Sequence, residues 1–333
     1  MKQIELKEID MTMSNVKTLV VGTRGSKLAL WQTGWLIDKI RANRPNLIVE
    51  TRIFTTMGDK IQDVPLQSVG DDGFFVRELE TALLKGEIDL AIHSLKDLPT
   101  RQPEGLTVPA TPEREDARDA LLSKHNLKLA DLPQGAIIGT SSVRRASQLR
   151  AFRSDFQLRD LRGNVDTRIR KLHEQDYDAI ILATAGVSRI SRGDEITERI
   201  PFKYMLPAPG QGALAPECRH DDRGIMGILA QLNNREAQAA VEAERQFMQA
   251  LGGGCQTPVG AFSEVIMRKL TLRAYIGAPD GSRVVKVEAV EDWEGTLAQS
   301  REMAQRLAEE ALKQGAREIL DDARANGYIT DRK

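Results

Sequence analysis

The chain has 333 residues, with 47 Lys+Arg against 48 Asp+Glu and a formal net charge of −1; 41% of residues are hydrophobic and 29% charged. These are globular values, and they exclude a disordered or fibrous chain; the length suggests about two or three domains. Charge this balanced argues against nucleic acid or an anionic membrane as the main partner, and no apolar run approaches the roughly 18 residues of a membrane span.

Residues 1–17 mix Lys2, Lys7 and Lys17 with Glu5, Glu8 and Asp10 and lack an apolar h-region. They read as a short solvated tail, neither a secretory signal nor a transit peptide. Residues 18–22 predict a buried strand, Ser26 an N-cap, and Lys27–Ala42 a helix with Leu28, Trp31, Trp35 and Ile40 near one face. A strand at 47–54 leads into 56–73, a stretch rich in Gly, Asp and Pro that reads as a long loop. A helix over 74–85, a strand over 88–93 and a polar turn over 94–99 follow. Alternating strands and helices imply a parallel or mixed α/β sheet. In such sheets the chemistry gathers beyond the strand ends, so the turns at 23–26 and 94–97 can face one cleft.

Residues 110–118 read as a hinge. A second α/β unit follows, with strands near 119–123, 135–139, 156–160 and 178–183 and helices near 142–152 and 164–175. The Pro/Gly-rich stretch 201–212 is the crossing back. After about residue 235 come a helix over 236–251, a Gly-rich turn, strands near 258–264, 269–277 and 283–290, and helices over 295–314 and 316–325. The expected architecture is α/β: two domains arranged like periplasmic binding proteins, 18–112 with 213–230 and 117–206, plus a small α+β domain at 235–333.

Three constellations can carry chemistry. Arg144, Arg145, Arg162 and Arg168 cluster at two predicted helix starts, the first preceded by Thr140, Ser141 and Ser142. Helix N-termini and guanidinium forks both favour anions; the bland alternatives are a solvated charged face or an RNA patch. The segment has few aromatics for base stacking, which weighs against nucleic acid. Asp97, in Ser94-Leu95-Lys96-Asp97, can act as a general acid/base or merely form a turn. In Gly252-Gly253-Gly254-Cys255 the glycines can present a thiol for covalent attachment, or simply cap a helix. Cys218 reads as structural. Two cysteines without an export signal suggest free thiols in a reducing cytoplasm, and His93, His125, His173 and His220 show no metal-ligand spacing.

These residues resemble a known family. Glu244-Arg245-Gln246-Phe247 with Leu251 to Gly260 is similar to the cofactor-attachment signature of the porphobilinogen deaminases (hydroxymethylbilane synthases). Thr23 to Ser26 with Leu30-Trp31-Gln32, Phe75 to Glu80, His93 to Asp97, Gly139 to Arg145, Leu161 to Asn164, Ala183 to Arg189 and Pro209 to Ala213 agree in order and spacing, over roughly 18–325. The resemblance implies a transferase of tetrapyrrole and heme biosynthesis. It condenses four porphobilinogens head to tail on a dipyrromethane primer, releases ammonia at each step, and finally frees hydroxymethylbilane. It further implies a thioether from the primer to Cys255 and catalysis by Asp97. Ser94, Lys96, Asp97, Thr140, Ser141, Ser142, Arg144 and Arg145 would hold the primer. Arg24, Ser26, Gln32, Phe75, Arg162, Arg168, Arg189 and Gln211 would handle the incoming or growing pyrroles. The expected enzyme is a cytoplasmic monomer acting on a small molecule, with no metal, nucleic acid or membrane partner. The chemistry agrees: each porphobilinogen carries an acetate and a propionate, which suit Arg forks. Loss of ammonia needs a proton and leaves a cation that a carboxylate can stabilise. A non-catalytic anion-binding module would need neither Cys255 nor Asp97, and an RNA-binding protein would show steep salt dependence.

One stretch departs from the family pattern. Asp72, preceded by Asp71, stands where a Lys usually precedes the Gly-aromatic-Phe turn, and Ser68 stands where a second Lys is often found. An acidic lid repels anionic pyrroles at close range. Asp72→Lys is therefore expected to lower the Michaelis constant for porphobilinogen in steady-state kinetics; an unchanged or higher value counts against the idea.

Overall fold

The computed structural model describes residues 18–60, 76–254 and 257–329. The expected tail at 1–17, Phe75, Cys255 and the acidic stretch with Ser68, Asp71 and Asp72 lie outside the described residues.

The chain begins with β1 (Thr18–Arg24), the helix Lys27–Asn43 and β2 (Ile48–Phe54). Ser26 caps that helix, its hydroxyl accepting from the Ala29 amide at 3.3 Å. A single helical turn, Met57–Lys60, stands where the composition suggested loop, and the helix Arg77–Leu84 leads to β3 (Leu90–Ser94). A 3₁₀ turn, Leu95–Asp97, follows, and then β4 (Leu106–Thr107).

After a crossing at 108–118 come β5 (Asp119–Ser123), β6 (Ile137–Gly139), the helix Val143–Phe152, β7 (Gln157–Arg159), the helix Val165–Glu174, β8 (Ala179–Ala183), the short helix Thr184–Arg189 and β9 (Glu198–Arg199). The chain then returns through 200–213 to β10 (Leu214–Arg219) and the helix Arg223–Ala230. The remainder is the helix Arg235–Ala250, β11 (Val259–Ile266), β12 (Lys269–Gly277), β13 (Val284–Asp292) and the helices Leu297–Ala311 and Arg317–Ala325.

The strand orders are β2-β1-β3-β10-β4, β7-β6-β8-β5-β9 and β11-β12-β13. The first two sheets share one plan. Three parallel strands are followed by an antiparallel fourth, and that fourth strand is the one the chain forms on arriving from a crossing: β10 in the first sheet, β5 in the second. Two open sheets joined by two crossings is the periplasmic-binding-protein arrangement, and ligands in such folds sit beyond the carboxyl ends of the parallel strands. The third sheet is an antiparallel meander. Its core joins Phe247 and Met248 of the helix Arg235–Ala250 to Leu270, Leu272 and Ile276 of β12 and to Met303 and Leu307.

β10 was not foreseen as a strand, because Pro216 interrupts it and proline cannot donate within a sheet. The sheet tolerates it because Pro216 faces Ile92 of β3, whereas on the other side β4 pairs only with Cys218 and Arg219. The two crossings are sewn together. The Glu115 amide donates to the Gly212 carbonyl, Arg114 Nε to the Gln211 carbonyl, and Gln211 Nε2 to the Ala117 carbonyl. Gly212 has a φ of +89°, and a Cβ there would lie 2.4 Å from the Glu115 oxygen, so only glycine permits this seam. Glu244, fully buried on the helix Arg235–Ala250, ties the seam to the third unit. Its carboxylate takes both terminal nitrogens of Arg114 at 2.7 and 3.0 Å, the Gly210 amide and the Ser263 amide. Among the described residues no helix is long and apolar enough to cross a membrane.

Candidate active site

The cleft between the first two units is built from strand ends and helix starts. From the first unit come Gln32 and Ser94, joined by an Nε2-to-Oγ hydrogen bond of 2.9 Å, and Lys96. From the second come Arg145, Arg168 and Arg189, and from the return crossing Gln211. All of these line one cavity, so residues scattered over 180 positions of sequence are brought together. Contacts that span the gap include two made by charged groups. Lys27 approaches Asp166 at 3.5 Å, and the Arg189 guanidinium lies 5.7 Å from the Trp31 ring centroid.

The cations of the cleft fall into two classes. Arg144 and Arg145 are buried and committed internally. Asp119, the fully buried first residue of β5, accepts from Arg145 through Nε at 3.1 Å and a terminal nitrogen at 2.7 Å and from one terminal nitrogen of Arg144 at 2.7 Å; Arg144 also donates to the Leu206 carbonyl and Arg145 to that of Ile181. Burial opposes ionisation of Asp119, but the two guanidinium groups prevail and hold its carboxyl well below the usual range. Arg144 therefore sits behind the cavity wall, and only Arg145 reaches its lining.

Lys96, Arg168 and Arg189 form the second class: none has a carboxylate within ion-pair distance among the described residues. Lys96 meets only the Gln211 amide oxygen at 3.3 Å, Arg168 the Gly163 carbonyl and Arg189 the Gly212 carbonyl. Burial pulls Lys96 down to about 8, partly offset by Asp97. Burial, with Arg145 and Arg162 nearby, takes Arg168 down to about 10, and burial does the same to Arg189. Cations withdrawn from water, as the buried Arg189 and the half-buried Lys96 and Arg168 are, are costly without a counter-charge unless a ligand anion completes them. The donor set thus fits a group carrying several carboxylates.

Asp97 ends the 3₁₀ turn and is exposed. Its charge raises the proton affinity of both Lys96 and Arg168, so it stands close to two of the three cations that lack ion-pair partners. Of the remaining expected residues, Arg24 ends β1 and Arg162 stands half-buried before the helix Val165–Glu174. Thr140, Ser141 and Ser142 line a neighbouring groove with Arg159, Asp160 and Tyr328. There the hydroxyls are partly engaged: Ser141 exchanges bonds with the Leu161 amide and carbonyl, and Ser142 caps the helix Val143–Phe152. Sequence reasoning missed Asp119 as the counter-charge; an acidic residue opening an otherwise apolar strand was the available signal.

Comparison with known proteins decides the family. The model of "Porphobilinogen deaminase, dipyromethane cofactor binding domain" matches residues 19–227, and that of the C-terminal domain matches 238–313. The chain belongs to the porphobilinogen deaminase family. It is 46% identical to the porphobilinogen deaminase of Desulforamulus reducens, over 92% of this chain and 98% of that one. It is 47% identical to that of Syntrophomonas wolfei, over 93% and 100%, and 47% identical to that of Geobacter metallireducens, over 91% and 94%. It is accordingly a transferase of tetrapyrrole biosynthesis, which builds hydroxymethylbilane stepwise from porphobilinogen on a dipyrromethane cofactor.

Proposed function

We propose that condensation takes place in the cleft between the first two units, with Asp97 as general acid and base and Cys255 as the thioether anchor of the dipyrromethane. The reading rests above all on one observation: Lys96 and Arg168, half-buried cations without ion-pair partners, stand close to Asp97, and the buried, unpaired Arg189 lines the same cavity. When bound, the dipyrromethane supplies the nucleophilic pyrrole carbon. Lys96, Arg145, Thr140, Ser141 and Ser142 hold its acetate and propionate groups, with Arg144 buttressing Arg145 through Asp119 and Ser94 completing the wall. Arg168, Arg189, Arg162, Arg24, Ser26, Gln32, Phe75 and Gln211 receive the incoming or growing pyrroles. Asp97 gives a proton to the departing amine of porphobilinogen, and its carboxylate then faces the positive charge left on the substrate. Both lobes of this site come from one chain, so a monomer suffices for the reaction. We place it in the cytoplasm, in keeping with a sequence that has only two cysteines.

Lys96 carries a pH consequence. A ligand carboxylate stabilises its protonated form, so binding takes up a proton near pH 8 and weakens as the pH rises beyond it. Porphobilinogen affinity is therefore expected to fall between pH 7.5 and about 9, and Lys96→Met to flatten that slope. A wild-type profile flat over this range would remove Lys96 from the anion site.

The reading as a whole is tested by intact mass. The purified wild-type chain should carry the extra mass of a dipyrrole and colour with acidic Ehrlich reagent. Cys255→Ala should show neither and form no hydroxymethylbilane. A Cys255→Ala chain that retains the added mass would overturn the attachment.

A further inference from the structure

Arg245, on the helix Arg235–Ala250 of the third unit, reaches across to the first. Its guanidinium donates to three acceptors around the turn: the Leu95 carbonyl at 3.3 Å, the Leu98 carbonyl at 3.2 Å and the Pro99 carbonyl at 2.6 Å. No carboxylate lies within ion-pair distance of it among the described residues, so its hydrogen bonds go to one piece of backbone. A flat five-donor fork can satisfy three converging carbonyls, whereas an ammonium offers a single point. Val241, one turn earlier on the same helix, packs with the buried side chains of Leu95 and Leu98. The turn is otherwise held at its start by the Leu95 amide, which donates to Ala213, and by the bond from the Leu98 amide to the Leu95 carbonyl.

We propose that Arg245 is a positioning residue for the condensation: it fixes the turn Leu95–Asp97, and thereby the Asp97 carboxylate and the Lys96 amine, relative to the helix that leads into the cysteine loop. The proposal rests on the reading of Asp97 as the acid and base. The placement has a mechanical logic. Glu244 anchors the hinge seam and Arg245 the catalytic turn, so adjacent residues of one rigid helix set the distance between hinge, turn and cofactor loop. Reacting groups tolerate little displacement; an error of about 1 Å can cost on the order of 10²-fold in rate.

The test compares wild type, Arg245→Lys and Arg245→Met by two measurements. The first is hydrogen exchange by mass spectrometry on the peptide spanning 93–100. It should speed up about tenfold or more in Arg245→Met as the local opening energy falls, with Arg245→Lys in between. The second is steady-state kinetics per dipyrromethane-loaded chain, with loading read by intact mass. Here kcat should fall by about 10²-fold in Arg245→Met while KM changes less than about threefold, and Arg245→Lys should recover part of the loss. A merely structural role would lower the loaded fraction and leave kcat per loaded chain at the wild-type value. Unchanged exchange overturns the proposal, as does faster exchange with wild-type kcat. If Arg245→Met does not accumulate as folded protein, Arg245→Lys bears both measurements with the same criteria. Asp97→Asn is assayed alongside: wild-type turnover there removes the role of Asp97 and leaves the exchange comparison standing, so the two failures are told apart.

Discussion

Asp97→Asn is expected to lower hydroxymethylbilane formation by about 10²–10⁴-fold, the usual contribution of a positioned acid or base, while the dipyrromethane stays attached. The substitution changes almost nothing else. Asp97 is exposed at the end of its turn, and the backbone of that turn is fixed by Leu95, Leu98 and Arg245 rather than by the carboxylate. The thermal midpoint should therefore match wild type. An Asn amide can neither deliver the proton to the departing amine nor carry the negative charge that faces the resulting cation. Ammonia release per loaded chain measures the loss directly; a variant turning over at the wild-type rate would sink the assignment.

Asp119→Ala is the largest stability effect we expect, about 3–5 kcal/mol, the typical cost of removing one partner from a buried ion pair. Arg144 and Arg145 would be left buried with only carbonyl partners, and Gln211 would lose one of its two acceptors. The sign of the pH dependence follows from the depressed carboxyl. The stabilisation is present above the ordinary Asp value of 3.8 and is lost as the pH falls below it through the folded-state value. At neutral pH the full effect is therefore available. Urea unfolding monitored in the second unit should show a lower midpoint for the variant. An unshifted midpoint would mean that the two guanidinium groups find other counter-charges.

Much of this site was legible because its physics is local. Helix starts that carry Ser, Thr and Arg mark candidate anion sites, of which only Arg145 and Arg168 line the cavity itself, and the strand-to-turn step at Ser94–Asp97 could be read from four residues. Three things were hidden because they depend on distant partners. Asp119 lies 25 positions before Arg144 and meets it only when β5 settles beside β8. This pairing divides the Arg cluster into spent and available cations, which counting along the chain cannot do. β10 was concealed by Pro216, whose tolerance depends on the shortness of β4. Arg245 was visible as part of a motif, but its acceptors are carbonyls about 150 positions away, and backbone oxygens leave no mark in a sequence.

The setting of Cys218 has a practical consequence. Its side chain is fully buried in the core of the first sheet, beside Leu90, Ile92 and Ile225, and burial pushes the thiol up to about 12. Only the thiolate reacts with alkylating or disulfide reagents, so in the native protein this sulfur is silent at neutral pH. With only two cysteines in the chain, every equivalent of reagent consumed by folded enzyme reports Cys255 alone. On the attachment proposed above, native thiol titration becomes a direct count of chains that never received their pyrrole primer, and a second equivalent appearing on denaturation supplies the internal standard.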